Sequence, residues 1–399
     1  MLLSPESGLP STSGTHMKQY PDLMSLGRKA LACLLFGVSL MCRPGLCLEL
    51  PESVVMIPKG TGLLSTQLET TIFLPQGTGP FPIVIINHGK ASGNPRLQGR
   101  FRPLGAARYF LARGYAVVVP MRQGFSKSTG SYIDGGCNVE SNGRVAAGDV
   151  VATLDYITTQ SWADRSHILV IGQSHGGWTT LAFGTHAYAG VKGLVNFAGG
   201  LRQDNCTYWQ GGLIAAAGAY GAETSLPSLW FYGDNDSYWP TPVWHAMYEN
   251  YMAKGGKGRL VAFGEFGTDS HSMFHAAAGA PIWEPEITRF LQETGMPSDV
   301  LPKFSMYASR QNIEASGFAA IEEISRLPVQ TDEALKAYQH FLAQKPPRAF
   351  AVSADGGWGS GWGGNDPQGR AIANCRKRTA FSECLLYAVD GKVVWRPTQ

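Results

Sequence analysis

Charge is sparse in this chain of 399 residues. Asp, Glu, Lys and Arg make up 16% of it, and 33 basic against 30 acidic side chains leave a formal net charge of +3. No block of Lys and Arg occurs, which argues against nucleic acid as a partner. The apolar run Ala30 to Met41 is too short to span a bilayer comfortably, so no membrane span is expected in the mature protein. No C-x-x-C and no His-rich spacing is present, so no metal site is indicated. A disorder-type composition is missing as well, because 44% of the residues are hydrophobic. The length exceeds one ordinary domain and suggests a large domain with a smaller one attached.

What is present begins with a targeting signal. Arg28-Lys29 precede the apolar run, and Gly45-Leu46-Cys47 offers small residues at the minus-three and minus-one positions of a cleavage site. Residues 1–47 therefore read as an N-terminal extension with a signal peptide, and the protein as exported, periplasmic or secreted. Met1 to Asp22 is polar and unlike a signal, so Met17 or Met24 is an alternative start. A short membrane anchor or a buried apolar segment is the alternative to export, and Leu46 disfavours lipid attachment at Cys47.

Seven cysteines occur, of which Cys33, Cys42 and Cys47 fall in the signal. The remaining four allow three pairings. Cys375 with Cys384, close together in the tail, and Cys137 with Cys206, both in loops of the main domain, are the favoured ones. Such bonds suit an oxidising compartment.

The chain is organised around Ile168 to Leu181. Ile-Leu-Val-Ile leads into Gly172-Gln173-Ser174-His175-Gly176-Gly177, and a helix-compatible run follows from Trp178. A G-x-S-x-G pentapeptide between strand and helix is the context of a nucleophile elbow. The turn holds the serine in a strained conformation, the glycines admit close backbone, and the helix N-terminus offers free N–H groups to an oxyanion.

The other elements fall in order around it. Ser53 to Ile57 and Leu68 to Leu74 read as an antiparallel pair that opens a sheet. Pro82 to Asn87 is an apolar strand closed by His88-Gly89-Lys90, and the Lys90 N–H is the candidate second oxyanion donor beside that of His175. A helix over Leu104 to Ala112 and a strand over Tyr115 to Pro120 lead to the loop Arg122 to Ser128, at a strand end where sites form. Ser126 and Ser128 in that loop sit in no elbow. A helix is expected over Gly143 to Thr158 and a strand over Val191 to Phe197. Leu201 to Ser225 interrupts the alternation where a lid would fall, with Tyr208 and Trp209 as candidate pocket residues or plain packing. Ser228 to Tyr232 is a strand that leads to Asp236, the candidate acid, with Asp234 as fallback. A helix over Thr241 to Ala253, a strand over Leu260 to Phe263 and a helix over Pro285 to Thr294 complete the domain. His271, on the loop after the last strand, is the candidate base, and His275 its rival. The order Ser, Asp, His is the one this architecture needs. Alternating strands and helices imply an α/β class with a mainly parallel sheet covered on both faces.

The set His88-Gly89, Gly172 to Gly177, Gly233-x-x-Asp236 and Asp269-Ser270-His271 resembles an α/β-hydrolase, closest to the dienelactone hydrolase-like and prolyl-oligopeptidase-like branch. The resemblance covers about Leu50 to Thr294, within a domain spanning residues 48–295. It implies Ser174, Asp236 and His271 as a catalytic triad and a small-molecule or peptide substrate, with no cofactor. Dienelactone hydrolase proper resembles a cysteine-nucleophile enzyme, whereas this chain carries serine, so that substrate is not carried over. A carboxylic ester is expected, with peptide cleavage the alternative, since no propeller-sized domain is present to screen peptides. A non-catalytic binding protein with the same fold is the rival from another class. The oligomeric state is left open.

Residues 296–399 read as a helical linker and a small α+β module. Ile321 to Ile324 and Asp332 to Ala343 are expected helices, Ala349 to Ser353 a strand, and Asp366 the cap of a helix reaching Arg376 with Pro367 at its first position. Leu385 to Val389 and Lys392 to Trp395 form a hairpin about Asp390-Gly391. The segment resembles small modules appended to exported bacterial proteins. Its Trp and Gly residues are candidates for a carbohydrate-binding surface or for simple packing.

Overall fold

The computed structural model describes residues 50–62, 65–203, 205–308, 315–363, 366–379 and 382–397. The expected signal, with Cys33, Cys42 and Cys47, lies outside the described residues.

β1 (Glu52–Lys59) and β2 (Thr66–Phe73) form the expected antiparallel pair, with Glu52 opposite Phe73. β2 also pairs antiparallel with β4 (Ala116–Pro120). The sheet then continues in parallel through β3 (Phe81–Asn87), β5 (Ala163–Gln173), β6 (Val191–Phe197), β7 (Pro227–Tyr232) and β8 (Lys257–Ala262). The strand order is β1-β2-β4-β3-β5-β6-β7-β8. The central strands are buried on both faces because helices cover both. Alternation along the strand divides the side chains: Ile83, Ile85, Ile168 and Val170 enter one core, and Val84, Ile86, Leu169 and Ile171 the other. The first core is roofed by α2 (Val139–Ile157), α3 (His175–Phe183), α4 (Trp209–Glu223) and α5 (Thr241–Ala253). The second is covered by α1 (Leu104–Leu111), α6 (Ala280–Glu293) and the short α7 (Ser305–Ala308). This is the α/β-hydrolase fold.

Several expectations of local structure need correction. α6 starts five residues before Pro285, which lies inside the helix, and β8 starts three residues before Leu260. α2 starts four residues before Gly143, because the Asn138 side chain accepts from the Ser141 N–H and caps a helix that runs through Asn142-Gly143. The segment Leu201 to Ser225 does not interrupt the alternation. Its main part is α4, an ordinary crossover helix that buries Leu213, Ala216, Ala217 and Tyr220 in the first core. Tyr208 is 84% exposed, and Trp209 packs towards Trp239 at a centroid distance of 6.2 Å. Ile321 to Ile324 is a turn that leads into a single 3-10 turn at Ile324–Arg326.

The tail forms a separate antiparallel sheet in the order β10-β9-β11-β12, from β9 (Arg348–Ser353), β10 (Trp358–Trp362), β11 (Cys384–Val389) and β12 (Lys392–Val393). α8 (Asp332–Ala343) is capped by Thr331, and α9 (Pro367–Arg376) by Asp366, which accepts from the Gly369 N–H. β10 was not expected from the sequence. Its Gly359 lies so close to α9 that a Cβ there would meet the Ala371 carbonyl oxygen at 2.3 Å. That contact gives the Gly-Trp run a packing role. Asp366 also pairs with Arg102, whose other partner is Glu52, and so ties the module to the main sheet. Cys137 is joined to Cys206 and Cys375 to Cys384, with Cα separations of 5.7 and 6.1 Å.

Candidate active site

Ser174 stands between β5 and α3 with φ 56° and ψ −126°, a left-handed conformation that non-glycine residues seldom adopt. The elbow presses against the loop after β3. A Cβ on Gly176 would lie 2.1 Å from the Asn87 carbonyl oxygen, and one on Gly89 would lie 3.3 Å from Ser174 Cβ. The first turn of α3 and the His88-Gly89-Lys90 segment therefore meet beside the serine. The His175 N–H opens α3, where amides have no partner four residues back.

Asp236 and His271 are brought together from two loops. His271 Nδ1 lies 2.9 Å from Asp236 Oδ2 and 3.1 Å from Oδ1. The Asp236 side chain is fully buried and accepts from the N–H groups of Tyr238 at 2.8 Å and Trp239 at 3.0 Å. Bonds to backbone amides hold a carboxylate in place. Asp234, by contrast, is exposed and turned towards Thr241. His275 is half-buried against Phe101 and Phe274, its Nδ1 is shielded from water and has no hydrogen-bond partner, and desolvation with His271 nearby pushes the ring down to about 3. Ser128 is a buried structural group that donates to the Met121 carbonyl, and Ser126 sits in no elbow.

Four residues to which sequence reasoning assigned no role of their own bind the parts together. Gln173 donates to the His271 carbonyl at 3.2 Å and links the elbow to the histidine loop. Asp269 accepts from the His271 N–H at 2.9 Å and from the Ser237 hydroxyl at 2.7 Å, joining the histidine and aspartate loops. Arg122, 2% exposed, donates to the carbonyls of His88 and Gly89. Asn142 accepts from the His175 ring at 2.7 Å. The signals available were a polar residue inside the elbow, a carboxylate two before the histidine, and an arginine two residues after a wholly apolar strand.

A family model for X-Pro dipeptidyl-peptidase (S15 family) matches residues 62–237, less than half of the chain. Similar solved structures include a Klebsiella pneumoniae protein assigned as a dienelactone hydrolase, at 16% identity and TM-score 0.44 over 60% of this chain and 98% of that one. An acylaminoacyl peptidase of Pyrococcus horikoshii is similar at 16% identity and TM-score 0.46 over 63% of this chain and 43% of that one. An esterase of Pyrococcus furiosus is similar at 14% identity and TM-score 0.44 over 62% and 91%. No curated protein matches the sequence. Among the described residues no helix is long and apolar enough to cross a membrane.

Proposed function

We propose that the protein is an exported serine hydrolase that cleaves a carboxylic ester. The observation that carries this reading is the His271–Asp236 pair, 2.9 Å apart, on a loop bonded through Gln173 to a serine in a strained elbow. Ser174 attacks the carbonyl carbon while His271 Nε2 takes its proton. Asp236 holds the proton of the imidazole on Nδ1 and stabilises the imidazolium. The oxyanion is met by the N–H groups of His175 and Lys90, a donor pair typically worth a few kcal/mol per bond. His271 then protonates the leaving group, and water hydrolyses the acyl-enzyme by the same steps in reverse roles.

A peptidase is the second reading, favoured by the match of residues 62–237 to the S15 family model. Residues 48–295 carry the chemistry in either case, and 296–399 form an appended module. The two disulfides support export. The test is to label the purified protein with a fluorophosphonate, map the modified peptide by mass spectrometry, and assay p-nitrophenyl esters beside dipeptide anilides. Labelling at Ser174 and ester turnover that Ser174→Ala abolishes without unfolding the protein are expected. Full activity in Ser174→Ala would end the proposal, and turnover of anilides alone would select the peptidase.

A further inference from the structure

Arg122 is a buried cation whose side-chain hydrogen bonds all lead to the two segments proposed to supply the oxyanion donors. Its guanidinium donates to the His88 carbonyl, to the Gly89 carbonyl at 3.3 Å and to His175 Nδ1 at 3.3 Å. Its own backbone N–H donates to His88 Nε2 at 2.9 Å. That bond fixes a tautomer. With Nε2 accepting, the proton of neutral His88 sits on Nδ1 and is donated to the Gly89 carbonyl at 2.6 Å. Burial and the neighbouring guanidinium hold His88 well below the ordinary imidazole range, so it is neutral at pH 7. The same logic applies to His175. Arginine only donates, so His175 Nδ1 accepts and its Nε2–H is donated to Asn142.

The Gly89 carbonyl therefore accepts from two donors at once. It belongs to the same peptide unit as the Lys90 N–H. That unit is trans, so its C=O and N–H point in opposite directions. Donors fixed on the oxygen aim the N–H the other way and polarise it, as hydrogen bonds in a chain strengthen one another. Among the described residues no carboxylate pairs with Arg122. Asp149, the acid whose charge it feels, is held by Lys59 at 2.6 Å and by the Gln123 N–H at 2.9 Å. A buried charge without a partner is costly, and such a charge is retained where it meets negative charge that appears only during reaction.

We propose that Arg122 is the positioning residue of the oxyanion site, orienting the Lys90 N–H through the Gly89 carbonyl, fixing His175 through its ring, and adding positive potential for the tetrahedral intermediate. The proposal rests on the serine hydrolase reading given above. Its test uses the full-length mature protein and the variants Arg122→Met and Arg122→Lys, with near-ultraviolet circular dichroism to check folding. Turnover of a p-nitrophenyl ester is split into kcat and KM, and the affinity for phenylboronic acid, which forms an anionic tetrahedral adduct on the serine, is measured alongside.

Arg122→Met is expected to lower kcat by about a hundredfold, with KM nearly unchanged. Boronate binding should weaken by a similar factor. Arg122→Lys keeps the charge but cannot reach three acceptors, and should fall between. A purely structural role would move KM or folding without singling out the boronate. If the methionine variant does not fold, the lysine variant decides, and boronate affinity equal to that of the unaltered protein overturns the proposal. Fluorophosphonate labelling separates the two readings. An unaltered protein that is not labelled at Ser174 overturns both. Labelling at Ser174 with boronate affinity indifferent to Arg122 overturns this one alone.

Discussion

On the side of the proposed nucleophile, Ser174 is held by backbone: a left-handed φ, a helix that starts at the next residue, and packing so tight that Gly176 has no room for a methyl group. On the side of the proposed acid–base pair, Asp236 and His271 sit on connecting segments and are held by hydrogen bonds between carboxylates and amides, those of Tyr238 and Trp239 to Asp236 and that of His271 to Asp269. The first side is fixed by volume and the second by polar partners. A change of shape should therefore damage the seating of Ser174, and a change of charge the seating of His271.

The largest effect expected from that contrast is on the polar side. Asp236→Asn keeps the shape but favours the wrong imidazole tautomer, and should lower kcat on a p-nitrophenyl ester by about ten-thousandfold with the fold intact. Asp234→Asn, on an exposed carboxylate two residues away, should leave kcat unchanged. Equal losses in the two variants would mean that the Asp236–His271 pair is not the working one. The volume side calls for the opposite experiment. Gly176→Ala adds one methyl 2.1 Å from the Asn87 carbonyl oxygen, where only backbone can yield. It should destabilise the protein by about 2–3 kcal/mol in urea unfolding. Gly212→Ala, in α4 with its nearest atom 3.8 Å away, should be neutral or stabilise by about 0.5–1 kcal/mol. If both alanines were equally tolerated, the elbow would not be fixed by packing.

The same contrast explains what the sequence made legible. The elbow was readable because strain and close approach demand glycines at fixed spacing, and apolar strands buried on both faces carry little else. The strands of the main sheet, as segments along the chain, followed from those runs, and their order across the sheet did not. α4 was misread because a helix built of Gly and Ala, with Tyr and Trp at its entrance, has neither an apolar stripe nor a capping residue: its first turn follows Tyr208, which makes no cap bond. β10 was missed because alternate glycines erase the period-two pattern, and they are there to admit the backbone of α9. Arg122, Asn142, Gln173 and Asp269 were given no role for another reason. Each is defined by a partner 32 or more positions away, and spacing along the chain carries no trace of such contacts.

The smallest effect separates the two sides by protons. His88 and His175 on the nucleophile side are buried and His275 on the acid–base side is half-buried, and desolvation holds all three below the ordinary imidazole range. In the unfolded chain each imidazole binds a proton below about pH 6.5. The folded protein refuses those protons until far lower pH, near about 3 for His275. The unfolded state thus binds more protons in this window, and stability falls as the pH drops below about 6.5, while above it these groups add no pH dependence. Each such histidine contributes a slope of up to about 1.4 kcal/mol per pH unit. His275→Leu replaces an imidazole packed against Phe101 and Phe274 with an apolar group that does not titrate. Urea unfolding measured from pH 7.5 to pH 5 should show a shallower loss in this variant, smaller by about one proton's slope. The remaining slope would then belong to the nucleophile side and to carboxylates. An unchanged slope would mean that His275 takes up its proton in the folded protein, and that water reaches the acid–base side behind His271.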